Sequence, residues 1–278
     1  MISQQEKALR FQALHQREGA FIIPNPWDVG TARLLAGMGF AALATTSAGY
    51  AFSRGLPDGS VGRPEALAYA AAIAAATELP VNGDLENGFG EKPEIAAETV
   101  QFAAAAGLVG GSIEDASREG DRFIYDIDHA VERVRAAAEA AHALPFPFLL
   151  TARAENYLYG RPDLGDTIRR LQRYQEAGAD VLYAPGLTTR EEISTVVRAV
   201  HRPVNVLMGL PGAAFTLADL AELGVRRVSV GSALSRVALG AFLAAAREMR
   251  DQGTFTFAGD AAGLHNLNAA FGDGGPGS

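Results

Sequence analysis

Acidic side chains follow two consecutive short apolar runs near the middle of the chain. Asp84 and Glu86 come at the end of the first run, and Glu114 comes at the end of the second. In an extended segment, residues two apart point to the same side, so Asp84 and Glu86 should face one site. Three carboxylates without a counter-charge are costly to bury, and a hard divalent cation removes that cost. These residues therefore predict a Mg²⁺ site, with Mn²⁺ as an alternative, unless they are solvated acids paired with arginines.

A second group of polar residues is suited to bind an anionic substrate. Arg153 interrupts an apolar stretch, and a guanidinium can grip a carboxylate in bidentate fashion. Hydroxyl and backbone N–H groups at the end of an earlier apolar run could bind the same group. The alternatives are that Arg153 forms a structural ion pair with Glu155 or Glu114, and that the hydroxyl residues are ordinary rim residues. We predict substrate binding by Thr45, Thr46, Ser47, Asp84, Arg153 and Asn205.

The elements that must position these residues alternate regularly along the chain. Short apolar runs predict strands at residues 21–24, 41–45, 81–84, 109–114, 148–151, 181–184, 204–207 and 227–230. Amphipathic stretches predict helices at residues 29–38, 64–76, 93–106, 127–143, 164–177, 190–199, 217–223 and 232–251. Strict alternation implies a parallel sheet, and eight units imply an α/β fold closed into a (β/α)₈ TIM barrel. A miscount of the units would leave an open, doubly wound sheet as the alternative.

The predicted barrel explains why the acids lie where they do, because such barrels carry their chemistry on the loops that follow the strands. Residues 1–252 are expected to form one barrel with a leading helix at the N-terminus. Residues 253–278 are rich in Gly and Asn and depart from the pattern. We expect this tail to contact another subunit or to be flexible.

The composition excludes several classes of partner and site. The net charge of −8 argues against a nucleic-acid or anionic membrane surface, which needs basic patches. The chain has no cysteine, which excludes disulfides, thiolate nucleophiles and cysteine-bound metals. No run approaches the roughly 20 apolar residues of a membrane span, and the polar N-terminus lacks the apolar core of a signal peptide. We therefore expect a cytoplasmic protein with no nucleic-acid or membrane partner.

The positions of the basic residues narrow the chemistry further. The only lysines, Lys7 and Lys92, do not end strands, which argues against Schiff-base and pyridoxal chemistry. None of the five histidines closely follows a strand, which argues against the zinc site of barrel hydrolases. Residues 209–212 and the Gly231-Ser232 pair could together form a phosphate cradle. The simpler alternative is that Ser232 caps its helix.

Five short segments occur in an order that is specific in combination, although each alone is weak. They are Asn25-Pro26-Trp27-Asp28, Gly55-Leu56-Pro57-Asp58, residues 83–90, Ser112-Ile113-Glu114-Asp115 and Thr151-Ala152-Arg153. Between about residues 20 and 240 the chain resembles the isocitrate lyase / phosphoenolpyruvate mutase superfamily. The resemblance implies Mg²⁺ near the third-strand acids and cleavage or formation of C–C or P–C bonds through a pyruvate-type enolate. It also implies a homo-oligomer, a dimer or tetramer, in which the last helix is exchanged between subunits.

The resemblance implies a role for each matching residue. Asp84 and Glu86 match the metal acids of the third strand, although the second is usually Asp, so Glu86 could hold the metal through water. Glu114 matches an acid that contacts metal-bound water. Asp58 matches an aspartate near metal and substrate, and Arg153 matches the arginine that grips the substrate.

Two parts of the chain depart from the family pattern. Isocitrate and methylisocitrate lyases carry a Lys-Lys-Cys-Gly-His loop after the fourth strand, whose cysteine transfers the proton. Residues 116–122 read Ala-Ser-Arg-Glu-Gly-Asp-Arg instead, so that cysteine is missing, as are the lysine and asparagine of phosphonate-type members. At Thr45, Thr46 and Ser47, the match to the family's carboxylate-binding turn is positional only.

The retained framework predicts a Mg²⁺-dependent carbon–carbon lyase. Its substrate is expected to be a small 2-hydroxy or 2-oxo di- or tricarboxylic acid, similar to isocitrate, methylisocitrate or oxaloacetate, and it should also bind pyruvate or 2-oxoglutarate. Asp58, Glu114 and Arg153 are the predicted catalytic residues. The acid/base stays open between Asp58, Tyr50 and a metal-bound water. The alternatives are a phosphonopyruvate or phosphoenolpyruvate mutase or hydrolase, and a catalytically weak barrel that binds 2-oxo acids.

Overall fold

Eight parallel strands form one sheet in the computed structural model, which describes residues 2–117 and 123–272. The strands are β1 (Phe21–Ile23), β2 (Leu43–Ala44), β3 (Val81–Asp84), β4 (Gly110–Glu114), β5 (Leu149–Arg153), β6 (Val181–Tyr183), β7 (Val204–Leu207) and β8 (Arg227–Ser229). Their order in the sheet is β1-β8-β7-β6-β5-β4-β3-β2. The predicted α/β fold, a (β/α)₈ barrel, is confirmed.

The two ends of the sheet, β1 and β2, meet through backbone and side-chain hydrogen bonds. The N–H of Ala44 donates to the carbonyl of Pro24 at 3.0 Å. The Asn25 amide donates to the carbonyl of Thr45 at 3.0 Å, and its oxygen accepts from the N–H groups of Val230 and Gly231, each at 2.9 Å. One side chain therefore ties the ends of β1, β2 and β8 together at the mouth of the barrel.

Helices precede, connect and follow the strands. They are α1 (Gln4–Gln16), α2 (Val29–Gly37), α3 (Ser47–Ser53), α4 (Arg63–Ala76), α5 (Pro93–Ala105), α6 (Ile127–His142), α7 (Leu164–Glu176), α8 (Arg190–Ala199), α9 (Leu217–Glu222), α10 (Ala233–Gln252) and α11 (Leu264–Phe271). Helix α1 lies where the leading helix was predicted, and a helix follows each of the eight strands as predicted. Helix α3 was not predicted, because its seven residues are too few to show a helical period. In the part of the chain that the structure describes, no helix is long and apolar enough to cross a membrane.

Helix α1 covers the N-terminal end of the barrel. Ala8 and Phe11 are fully buried in one cluster with strand residues that include Phe21 and Leu149. Gly110 allows this close packing, since a Cβ atom there would lie 2.9 Å from the Phe11 ring. The cavity described below therefore has a floor on the side of α1.

Helix α10 and the residues after it expose apolar side chains. Ser235 is the only α10 residue that is buried, while Val237 and Phe242 are 70% and 68% exposed. The helix ends at Gly253, whose φ of 65° is the left-handed conformation that glycine accepts without strain. A 3₁₀ helix (Thr256–Gly259) follows, and α11 then lies against α2. Residues 273–278 of the predicted tail lie outside the described residues. The expected exchange of the last helix stays a prediction.

Candidate active site

A cavity of about 660 Å³ opens at the C-terminal ends of the strands. Side chains from all eight strands or the loops that follow them line it. Every residue predicted to belong to the site is in this lining, namely Thr45, Thr46, Ser47, Asp58, Asp84, Glu86, Glu114, Arg153 and Asn205. The fold therefore brings together residues that are up to 160 positions apart in the chain, from Thr45 to Asn205.

The Arg153 guanidinium lies among three carboxylates. Its Nε atom is 2.8 Å from Glu155, and its Nη1 atom is 3.1 Å from Asp84 and 3.2 Å from Glu114. Its other neighbour is the Tyr183 ring, whose centroid is 5.1 Å from the guanidinium carbon. The structural ion pairs considered from the sequence are therefore present, and Asp84 is an additional partner.

The electrostatics of this cluster follow from its burial. Burial alone would lower the pKa of Arg153, but the carboxylates of Glu155, Glu114 and Asp84 together raise it well above its usual value. Burial raises the pKa of Glu114, and Arg153 offsets only part of this effect. Burial raises the pKa of Glu155 for the same reason. Acids whose charged form is disfavoured in this way are stabilised by a further cation.

The turn after β2 holds Asp84. The N–H and the hydroxyl of Ser47 each lie 3.0 Å from Asp84 Oδ2, and the N–H of Asp84 donates to the Thr45 hydroxyl at 2.7 Å. The Thr46 hydroxyl accepts from the N–H of Gly49 and caps α3. Thr45 and Ser47, which were predicted to bind a substrate carboxylate, are thus hydrogen-bonded to Asp84. Thr46, predicted to bind the same group, is hydrogen-bonded within α3.

Glu86 reaches the cavity in a way that differs from the prediction. Strand β3 ends at Asp84, and Glu86 has a φ of 51°, so the alternation of an extended strand does not continue to it. Its side chain is nevertheless buried and lines the same cavity as Asp84. A positive φ costs a residue with a Cβ atom on the order of 1–3 kcal/mol and persists where the surrounding structure enforces it.

Arg133 on α6 enforces the conformation of this loop. Its guanidinium is buried and donates to the carbonyl oxygens of Asn87, Gly90 and Glu91. It also lies 4.7 Å from the centroid of the Tyr125 ring. Contacts made from a helix residue 42 to 46 positions away thus fix the backbone next to Glu86.

The predicted metal ligands Asp84, Glu86 and Glu114 line the same cavity, but their side chains are not arranged as a preformed metal site. Among the described residues, no three His, Cys, Asp or Glu side chains lie close enough together to hold a metal ion. Both oxygens of Asp84 already accept hydrogen bonds, from Ser47 and from Arg153. The donor chemistry still fits, because Asp84, Glu86 and Glu114 offer only the hard oxygen atoms that Mg²⁺ prefers.

The chain matches the model of one protein family over most of its length. The model of the phosphoenolpyruvate phosphomutase family matches residues 11–250, which span the whole barrel. The chain belongs to this family. The resemblance to the isocitrate lyase / phosphoenolpyruvate mutase superfamily is thereby confirmed.

Individual proteins are similar to this chain in sequence or in fold. A crystal structure from Burkholderia cenocepacia J2315, named as a candidate lyase or mutase, is 62% identical, with a TM-score of 0.94 and 96% of each chain covered. The 2-methylisocitrate lyase of Halalkalibacterium halodurans is 30% identical over 261 residues, which cover 91% of this chain and 85% of that enzyme. A structure of 2,3-dimethylmalate lyase is 26% identical, with a TM-score of 0.84, and the match covers 98% of this chain and 95% of that one. The names of these relatives support an enzyme.

In this phosphoenolpyruvate phosphomutase family member, two side chains are not placed for roles considered from the sequence, namely acid/base for Tyr50 and helix cap for Ser232. The Tyr50 hydroxyl donates to Glu65 at 3.1 Å, and its ring stacks on Tyr69 at 4.0 Å, so Tyr50 does not line the cavity. Ser232 occupies the N-cap position of α10, but its side chain makes no capping hydrogen bond. Gly231 and Ser232 instead line the cavity.

The loop that replaces the cysteine motif of the family's lyases is described in part. Residues 118–122 lie outside the described residues, so the prediction that this loop has a different chemistry stays a prediction. Ser117, directly before them, lines the cavity. Ala116 pairs with Ile124 in an isolated antiparallel bridge.

Sequence reasoning missed several residues that line the cavity. They are Asn25, Glu155, Tyr183, Arg227 and Ser229. Arg227 and Ser229 carry a signal that could have been used, since they are polar at alternate positions of a strand that is otherwise apolar. In a barrel strand, alternate residues point inward. Such a pattern indicates a polar interior.

Proposed function

We propose that this phosphoenolpyruvate phosphomutase family member is a Mg²⁺-dependent lyase. Its substrate would be a small 2-oxo or 2-hydroxy di- or tricarboxylic acid, in which a carbon–carbon bond breaks or forms through an enolate. The observation that carries the proposal is the meeting of Asp84, Glu114 and Arg153, from three strands, in one cavity. The relatives named 2-methylisocitrate lyase and 2,3-dimethylmalate lyase support the same reaction class.

Asp84, Glu86 and Glu114 would hold Mg²⁺, directly or through water. When bound, the ion supplies Lewis-acid stabilisation of negative charge on the substrate oxygens. The chain contributes the hard oxygen donors and a largely buried surrounding, in which charges interact more strongly than in water. Arg153 keeps Asp84 and Glu114 partly neutralised before any ligand arrives.

Arg153 would bind a carboxylate of the substrate. Glu155 and the Tyr183 ring restrict the guanidinium, so little freedom is lost when the substrate binds. A substrate carboxylate would compete with Asp84 and Glu114 for the Nη1 atom, which would leave those acids for the cation. Ser47 keeps Asp84 in place during this exchange through two hydrogen bonds.

Asp58 is the acid/base candidate that the geometry favours. Its side chain lines the cavity, and its Oδ1 atom lies 3.3 Å from the Ser47 hydroxyl. The other side chain considered for this role, Tyr50, is directed to Glu65. We assign to Asp58 Oδ1 the proton that is exchanged with the substrate.

The functional unit would be a homo-oligomer in which a second copy of the chain covers α10. This helix follows the eighth strand, yet only Ser235 on it is buried. A helix packed on its own barrel would bury an apolar stripe. Light scattering coupled to size exclusion should give the mass of a dimer or tetramer, and a monomer at micromolar concentration would exclude this arrangement.

The test of the lyase activity uses purified protein with Mg²⁺ and a panel of isocitrate, 2-methylisocitrate, 2,3-dimethylmalate and oxaloacetate. Proton NMR would follow the products directly. We expect at least one acid to be cleaved, the reaction to stop with EDTA and to resume with excess Mg²⁺. A matched control is the Glu94→Gln variant, which changes an exposed acid on α5. Absence of cleavage for every acid of the panel would count against the proposal.

A phosphonopyruvate mutase or hydrolase is the second candidate. Gly231 and Ser232 line the cavity, and the Ser232 side chain is not engaged in helix capping. Release of inorganic phosphate from phosphonopyruvate, or its conversion to phosphoenolpyruvate, would favour this function over the lyase. Stabilisation by 2-oxoglutarate and Mg²⁺ without turnover of any of these compounds would favour a 2-oxo-acid-binding protein.

A further inference from the structure

A second buried arginine lies at the deep end of the cavity. Arg227 on β8 is 3% exposed and lines the cavity. Its Nε atom donates to Asn205 Oδ1 at 2.9 Å, its Nη2 atom donates to Thr151 Oγ1 at 3.0 Å, and its Nη1 atom lies 3.5 Å from His15 Nε2. These contacts use three of the five N–H groups of a guanidinium.

All three neighbours of Arg227 are neutral. The Nδ1 atom of His15 lies 2.8 Å from the carbonyl oxygen of Phe11, which can only accept, so Nδ1 carries the ring proton and Nε2 is an acceptor. Burial, together with the charge of Arg227, lowers the pKa of His15 to about 3. Asn205 and Thr151 do not ionise. The floor of the cavity therefore carries one positive charge.

Arg227 and Arg153 differ in their counter-charges. Arg153 has three carboxylates within 3.2 Å. No carboxylate of the described residues forms an ion pair with Arg227. Burial lowers the pKa of Arg227 to about 10, so it still carries its charge at neutral pH. A buried cation without a counter-ion is costly, and an anion that enters the cavity would offset that cost.

The position of Arg227 sets the length of a ligand that could reach both arginines. Its partner Thr151 lies two residues before Arg153 on β5, so both point into the barrel. Two residues of a strand span roughly 6.6 Å, which places the contact of Arg227 one layer of side chains below Arg153. This depth matches a short carbon chain that carries an acid group at each end.

The residues next to this layer leave room and offer hydrogen-bond donors. Ser112 and Ser229 are small inward residues that line the cavity. Because Arg227 occupies the Oδ1 atom of Asn205, the amide nitrogen of Asn205 faces Ser229, at 2.9 Å from its hydroxyl. Arg227 thus also fixes which end of the Asn205 amide is presented on this side.

We infer that Arg227 binds the second carboxylate of the substrate and makes the cavity selective for dicarboxylates over monocarboxylates. The inference rests on the proposed function in that the substrate is a carboxylic acid held at the mouth of the cavity. It adds the residue that recognises the far end of that substrate. The Arg227 guanidinium, which has no role in the proposed carbon–carbon chemistry, thereby receives a ligand.

The test compares two ligands that differ at the far end only. Malate and 2-hydroxybutyrate share the 2-hydroxy acid group, but malate ends in a carboxylate where 2-hydroxybutyrate ends in a methyl group. Isothermal titration calorimetry with and without Mg²⁺ would measure both on the wild type and on the Arg227→Met, Arg227→Lys and Thr151→Val variants. We expect the wild type to bind malate at least 10-fold more tightly than 2-hydroxybutyrate.

The variants separate the charge from the packing. Arg227→Met should bring the affinity ratio of the two ligands close to one, with the affinity for 2-hydroxybutyrate changed less than about 3-fold. Arg227→Lys should keep a reduced preference, and Thr151→Val should keep most of it, since the guanidinium remains. If Arg227→Met does not fold, the Arg227→Lys and Thr151→Val pair carries the comparison.

The outcomes distinguish the role of Arg227 from the proposed function. A wild type without a preference for malate, or a folded Arg227→Met variant that keeps the full preference, would overturn the role of Arg227. A preference for malate that is independent of Mg²⁺ would uphold Arg227 and contradict the metal-dependent function. Binding of neither ligand by the wild type would overturn both.

Discussion

The Nη1 atom of Arg153 lies 3.1 Å from the Oδ1 atom of Asp84, although their strands are not neighbours in the sheet. Strand β4 lies between β3 and β5, and its Glu114 contacts the same Nη1 atom at 3.2 Å. One guanidinium on β5 therefore links acids of β3 and β4 across the barrel mouth. Acids that would otherwise repel one another are held together by the chain itself.

Removal of this guanidinium should affect both stability and activity. In Arg153→Met, the buried Glu114 and Glu155 and the partly buried Asp84 lose their counter-charge, and breaking a buried pair in this way costs about 3–5 kcal/mol. We expect turnover to fall at least about 100-fold, because substrate positioning is lost as well. Urea denaturation and steady-state kinetics measure the two effects.

The control for Arg153→Met is Arg169→Met. Arg169 is 64% exposed and pairs with Asp166 on the same helix, an arrangement worth less than about 1 kcal/mol. Mg²⁺ should raise the melting temperature of Arg153→Met more than that of the wild type, since the acids then need a replacement cation. Equal stability of Arg153→Met and Arg169→Met would disprove the central role of Arg153.

The barrel and the position of its acids could be predicted because both depend on local patterns. Apolar runs and amphipathic stretches alternate eight times along the chain, and Asp84 and Glu114 each end an apolar run. Parallel strands place their C-terminal ends at the same end of the barrel. The order of the strands in the sequence was therefore enough to predict that these acids lie close together.

Other parts of the site depend on contacts that sequence order does not show. Glu86 faces the cavity because of its left-handed backbone, which Arg133 enforces from a distant helix. The neutral surroundings of Arg227 depend on His15, which is 212 residues away. Contacts between residues so far apart in the sequence cannot be predicted from a local pattern.

Loss of Asp84 as a metal ligand should weaken the response to Mg²⁺. In Asp84→Asn, the remaining donors carry one negative charge less, and we expect the Mg²⁺ concentration for half-maximal turnover to rise at least about 10-fold. Glu94→Gln, which changes an exposed acid, should leave this concentration unchanged. Titration of EDTA-treated protein with Mg²⁺ provides the measurement. An unaltered Mg²⁺ dependence in Asp84→Asn would remove Asp84 from the metal site.

A methyl group at Gly49 should displace the turn that holds Asp84. A Cβ atom there would lie 2.6 Å from Thr46 Cγ2 and 3.2 Å from the Trp27 side chain. We expect Gly49→Ala to cost about 1–3 kcal/mol, as overpacking does in well-packed interiors, and to lower turnover as well.

Gly30 is the matched control for Gly49, because it is also a helical glycine. An added Cβ atom would have its nearest neighbour, Asp28 Oδ1, at an ordinary 3.5 Å. Gly30→Ala should therefore be neutral or stabilise by up to about 1 kcal/mol. Thermal denaturation gives the melting temperatures of both variants. A Gly49→Ala variant as stable as Gly30→Ala would show that the turn accommodates a methyl group without strain.

His15 should make stability depend on pH in the mildly acidic range. Burial and Arg227 lower its pKa to about 3 in the folded protein, against about 6.5 in the unfolded chain. Between these values the unfolded state binds more protons, so the stabilising contribution is complete above about pH 6.5. It is lost as the pH falls toward 3, by up to about 1.4 kcal/mol per pH unit.

The difference between the wild type and His15→Gln isolates this effect from the titration of carboxylates. Glutamine does not ionise, so the free energy of unfolding of the two proteins should converge as the pH is lowered from 7 to 4.5. Urea denaturation at each pH gives these free energies. His201→Gln, at an exposed position, should follow the wild type throughout. Parallel curves for the wild type and His15→Gln would mean that His15 is not held neutral by its surroundings, and the charge balance around Arg227 would need revision.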